Sequence, residues 1–128
     1  MGKIYYFSKD EKITYLLKTS WPLSLTNPRT GKVLGLISLT DGALSASGIC
    51  KGVHIIDTQN KKPAGDRIAA WAKASDAATA DALSTAFMIM NSESIEKYCR
   101  SRTKTWALVI PNSDEGILCF GKCKNVLI

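Results

Sequence analysis

The chain has 128 residues, a formal net charge of +6, 45% hydrophobic and 22% charged residues. That suits one folding unit with its own core and excludes disorder, low-complexity scaffolds and two ordinary-sized domains. The basic residues are scattered, with no block longer than Lys61-Lys62. Without an aromatic-interleaved basic stripe they predict a solvated surface rather than a nucleic-acid interface. The same charge still suits an anionic small ligand such as a nucleotide.

In chain order, "KIYYFS" and "ITYLL" flank the charged run Lys9-Asp10-Glu11-Lys12 and predict a hairpin. Asn27-Pro28-Arg29-Thr30-Gly31 and Asp41-Gly42 are turn chemistry between apolar strands, so the first half is expected to be antiparallel sheet. "GVHIID" reads as an apolar strand, followed by a Lys-rich loop from Thr58 to Gly65. "RIAAWAKA" is most economically another strand, with a helix as the alternative that its alanines allow. Ten of the thirteen alanines fall between positions 64 and 86, so a strand and a helix are expected to approach closely there.

Ser75 or Asp76 is placed to cap the next helix, whose buried face carries Leu83, Ala86, Phe87 and Met90. Asn91-Ser92 interrupts it before a second helix, "SESIEKYCRS", with acids first and bases last. "TWALVIP" and "ILCFG" then form a closing hairpin. Strands, a helix pair and strands define an α+β fold in which an antiparallel sheet carries the helices on one face.

Within "ATADALSTAFMIM", Asp81 and Thr85 lie roughly 40° apart around the helix axis, with Ser84 and Met88 close by. A carboxylate and a hydroxyl one turn apart suit a hard cation such as Mg²⁺, which completes its octahedron with waters and phosphates. The plainer reading makes Asp81 an early-turn acid favoured by the helix dipole and has Thr85 bonding back to the carbonyl of residue 81. The only histidine, His54, stands with Asp57 at the strand end. It is either a structural residue or a phosphate contact and general base, with Lys61 and Lys62 as a cationic rim.

Cys50, His54, Cys119 and Cys123 have spacings that would supply four zinc ligands, but not the tight C-x2-C knuckle. No signal peptide or membrane span is apparent, so the expectation is a cytoplasmic protein with reduced thiols.

Four ordered matches, "WPLSLTNP", "ISLTDGALSASG", "HIID" closing on "KKPA", and "ADALSTA", resemble the C-terminal part of the ApbE family of flavin transferases (FAD:protein FMN transferases). They run from Trp21 to about Met90, and "WALVIP" fits as well. The resemblance implies a single ApbE-like C-terminal domain over residues 1–128, T-fold-related, without the family's N-terminal half. It also implies binding of FAD and Mg²⁺, and transfer of FMN to a Thr or Ser of a target flavoprotein.

By the same resemblance Asp81 and Thr85 are metal ligands and His54 is catalytic. Ser47, Gly48, His54, Ile55 and Asp57 border the flavin nucleotide. Completion of the site falls to a partner subunit or a second copy, with neither nucleic acid nor membrane involved. The alternative is an inactive ApbE-like binding or interaction module.

Overall fold

The computed structural model describes residues 3–7, 20–49, 56–57, 62–63, 65–113, 116–123 and 126–127, those of 3–7, 56–57 and 62–63 by their backbone alone. The strands are β1 (Lys3–Phe7), β2 (Trp21–Thr26), β3 (Val33–Leu39), β4 (Gly42–Gly48), β5 (Ile56–Asp57), β6 (Lys62–Pro63), β7 (Arg67–Ala74), β8 (Trp106–Pro111) and β9 (Leu118–Phe120). Helices α1 (Ala77–Ala86) and α2 (Ser92–Arg100) lie between β7 and β8.

Five strands form one antiparallel sheet in the order β1-β4-β7-β8-β9. The alternation along each strand sends side chains to opposite faces, and both faces are covered. On one side Ala43, Ala70, Ala72, Ala74, Ala107 and Val109 meet Ala80, Leu83, Phe87, Ile95 and Cys99 of the helical layer. On the other, Leu44, Ala69, Trp71, Trp106, Leu108 and Ile110 pack with Leu25 of the β2–β3 hairpin and with Cys123 and Val126.

The alanines explain the asymmetry. With methyl groups on the sheet, the helices sit close to the strands, and Leu83 and Phe87 fill the remaining space. Complete burial of a side chain of that size contributes about 1.5–3 kcal/mol.

The expected α+β architecture with both helices on one face is therefore what the chain adopts. Several local expectations are corrected. Asp41-Gly42 does not join two strands of one sheet, because β3 pairs with β2 while β4 lies in the five-stranded sheet. The turn is a corner at which the chain changes layers, and Gly42 has φ of 115° there, where a Cβ would stand only 2.6 Å from the Ala74 carbonyl oxygen.

The loop expected from Thr58 to Gly65 contains β6, which pairs with β5. β1 pairs with β4; "ITYLL", its expected hairpin partner, lies outside the described residues. The closing β8–β9 hairpin is formed as expected.

Cys119 and Cys123 are joined in a disulfide, which overturns the expectation of reduced thiols at these positions and removes both from a zinc site. Their Cα atoms are 6.1 Å apart, within the usual bridging range. Cys50 and His54, the other members of that ligand set, lie outside the described residues.

Candidate functional site on α1 and β4

The candidate site is built on α1, which starts where its sequence provides a cap. The Asp76 carboxylate accepts hydrogen bonds from the Thr79 backbone N–H at 2.8 Å and from its hydroxyl at 2.9 Å. Those bonds, the backbone one first, hold the Asp76 carboxyl below its ordinary pKa. Asp81, by contrast, is not in the first turn, so the early-turn reading of its carboxylate is corrected.

The end of α1 is anchored from the sheet. Arg67, at the start of β7, donates from Nη1 to the carbonyls of Phe87 and Met90. These carbonyls follow the last helical turn, where backbone acceptors lack partners within the helix. Partial burial lowers the pKa of this guanidinium, against the opposing pull of Asp66. Asn91 then accepts from the Ser94 N–H and starts α2. α1 is thus fixed at both ends over a close-packed alanine floor.

Across the seam between α1 and β4 the floor changes from methyls to hydroxyls. Ser45 and Ser47 alternate with Leu44 and Ala46, so they face the helix, where Ser84 is completely buried. Ser84 Oγ lies 3.1 Å from Ser45 Oγ and 2.9 Å from Ser47 Oγ, and it donates to the Asp81 carbonyl at 3.1 Å. Ser47 Oγ is 3.3 Å from Thr85 Oγ1. No buried side-chain nitrogen or oxygen among the described residues lacks a hydrogen-bond partner.

The stripe predicted from spacing is therefore divided. Ser84 and Met88 are buried, whereas Asp81 and Thr85 are exposed. Thr85 Oγ1 also donates to the Asp81 carbonyl at 3.4 Å, so the predicted back-bond is present. Back-bonding and outward exposure are compatible, since the hydroxyl keeps lone pairs.

The Asp81 carboxylate and Thr85 hydroxyl are hard oxygen donors and suit Mg²⁺ in kind. Two donors leave most of an octahedron to waters and a substrate phosphate. Among the described residues, no group of three or more His, Cys, Asp or Glu is gathered for metal binding.

Ser47 and Gly48, predicted beside the nucleotide, are the last two residues of β4. Ser47 is buried, with its hydroxyl in the seam. The backbone of Asp57 belongs to β5, and His54 and Ile55 lie outside the described residues. What the sequence reading missed was the participation of Ser45 and Ser47 with Ser84. The signal available was the serine alternation in "GALSASG", polar atoms on one face of an otherwise apolar strand.

The sequence and fold of the chain have counterparts in known proteins. A family model described as the ApbE family matches residues 2–110. The chain belongs to the ApbE family. The match reaches well upstream of Trp21, where the sequence resemblance begins.

The crystal structure of the ApbE protein from Thermotoga maritima is similar, with a TM-score of 0.70 and 28% identity over 87% of this chain. The flavin transferase ApbE from Vibrio cholerae shares the fold, with a TM-score of 0.63 and 24% identity over 82% of this chain. The chain spans only 39% and 36% of those two structures' own chains. No curated protein gives a significant match. Among the described residues, no helix is long and apolar enough to cross a membrane.

Proposed function

We propose that this ApbE chain supplies half of a Mg²⁺-dependent flavin-transfer site, which moves FMN from FAD to a Thr or Ser of a target flavoprotein. A partner subunit or a second copy of the chain completes it. The observation that carries this reading is the exposed Asp81–Thr85 pair, held over a buried hydroxyl seam in an ApbE fold.

Asp81 and Thr85 would hold the Mg²⁺, which when bound neutralises charge on the pyrophosphate oxygens. The acceptor hydroxyl forms a bond to the FMN phosphorus, the pyrophosphate bond breaks, and AMP leaves with the bridging oxygen. His54 takes the hydroxyl proton as general base. By the family resemblance His54, Ile55 and Asp57, together with Ser47 and Gly48, contact the nucleotide. The scattered positive charge of the chain suits a ligand with two phosphates.

The test is AMP release, followed by chromatography, when the chain is incubated with FAD, Mg²⁺ and a Thr-bearing acceptor protein over a range of chain concentrations. Turnover that disappears in Asp81→Ala is expected, and a steeper than linear rise with concentration identifies the second copy as the completing half. Equal background release from the wild type and Asp81→Ala with every acceptor would overturn the reading. Calorimetric FAD binding without turnover would identify the inactive binding module instead.

A further inference from the structure

Proton counting across the α1–β4 seam constrains Thr85. Each Ser or Thr hydroxyl carries one proton and two lone pairs, and a carbonyl oxygen only accepts. Thr85 Oγ1 has two inward neighbours, the Asp81 carbonyl at 3.4 Å and Ser47 Oγ at 3.3 Å.

With the Ser84 proton on the Asp81 carbonyl, the Ser84 oxygen accepts from Ser45 and Ser47, and both of their protons are spent. Ser47 then meets Thr85 as an acceptor. In the alternative arrangement Ser47 donates to Thr85, and the Thr85 proton goes to the Asp81 carbonyl. Either way the Thr85 proton stays in the seam, leaving an oxygen lone pair for the exposed side.

We propose that the Ser45–Ser47–Ser84 cluster is a positioning device that presents Thr85 Oγ1 as an acceptor to a hard divalent cation, with Ser47 making the direct contact. The proposal rests on the reading of Asp81 and Thr85 as the cation-holding pair. Packing alone does not require the three hydroxyls. Alanine at positions 45, 47 and 84 would continue the methyl floor already laid by Ala43, Ala70, Ala72 and Ala74, with no polar atom to satisfy.

Removing the Ser47 hydroxyl leaves Thr85 only its longer bond to the Asp81 carbonyl. Its side chain is then freer to rotate, and the outward lone pair is no longer directed. Loss of such an outer-shell partner typically costs roughly ten- to hundredfold in metal affinity.

The experiment is a Mn²⁺ titration of the whole chain by electron paramagnetic resonance, with thermal melts of each variant. Asp81→Asn and Thr85→Val are expected to weaken Mn²⁺ binding severely. Ser47→Ala should weaken it roughly tenfold or more while the protein stays folded. Adding Ser47→Ala to Thr85→Val should weaken it no further, a coupling that a purely structural serine would not show.

Should Ser47→Ala unfold, Ser47→Cys keeps the volume with a weakly bonding thiol and is expected to weaken binding likewise. Wild-type affinity in the folded Ser47 variant, alongside loss in Asp81→Asn, overturns the positioning role and leaves the cation pair intact. Absence of Mn²⁺ binding in the wild type, or binding indifferent to Asp81→Asn and Thr85→Val, overturns the cation pair and the positioning role with it.

Discussion

Cys99 is a buried free thiol on α2, facing the alanine floor with Ile95. Burial raises its pKa from the ordinary 9.0 to about 11, against the smaller opposing influence of Arg102. The folded chain therefore keeps its proton where the unfolded chain loses it. Between about pH 9 and 11 the unfolded state binds fewer protons, so this thiol's contribution to stability is complete below pH 9 and declines as pH rises toward 11. In a Cys50→Ser background, the denaturation midpoint should fall more between those limits than in the same chain carrying Cys99→Ala. Equal declines would show that Cys99 does not carry the effect. The contrast with Thr85 is instructive: both lie on helices over the same sheet face, but Thr85 is exposed and Cys99 is not.

At the scale of elements, the β2–β3 hairpin covers the sheet face opposite the helices and is fastened by a close backbone approach. Gly35 of β3 bridges to Leu127, and a Cβ on Gly35 would stand 2.3 Å from the Val126 carbonyl oxygen. The neighbouring atom is backbone and has no rotamer with which to yield. Gly35→Ala should therefore destabilise the chain by about 1–3 kcal/mol, the usual cost of overpacking, measurable by urea denaturation. Alanine at half-buried Gly65, where a Cβ meets nothing within 4 Å, is the control.

The same elements show where local sequence is informative. The Asn27 turn, the β7 strand, both helices and the β8–β9 hairpin follow from turn chemistry, caps and periodicity, because each is settled by nearby residues. The corner at Gly42 has the same local chemistry as a hairpin turn. Its role depends on which distant strand is available to pair with β4, and β1 and β7 occupy both edges. The site divides in the same way: Asp81 and Thr85 are one turn apart and visible from spacing alone. The Ser45–Ser84 and Ser47–Ser84 contacts join positions 39 and 37 residues apart, so they emerge only once β4 is seated beneath α1.

At the scale of the whole molecule, the cover over the second sheet face depends on a short tail. Cys123 is completely buried in the cluster formed by Trp71, Trp106, Leu108, Leu25 and Val126, and its disulfide to Cys119 ties that tail to β9. β9 is the edge of the five-stranded sheet, and the tail beyond Cys123 reaches the hairpin through Leu127 and Gly35. The cross-link thus adds a covalent tie to sheet edge, tail and hairpin, which are otherwise joined by the β8–β9 ladder, the Gly35–Leu127 bridge and side-chain packing. Closing so short a loop stabilises by about 2 kcal/mol on the chain-entropy estimate. Reduction, or the paired substitution Cys119→Ser with Cys123→Ser, should lower the unfolding midpoint. The loss should include protection of hairpin amides, while α1 amides exchange at wild-type rates under native conditions. Mass spectrometry of the unreduced chain, alkylated after denaturation, supplies the direct check, since Cys119 and Cys123 then stay unlabelled while the free thiol of Cys99 is labelled. Labelling of Cys119 and Cys123 in the freshly isolated, unreduced protein would show that the tail is held by packing and the Gly35–Leu127 bridge without a cross-link.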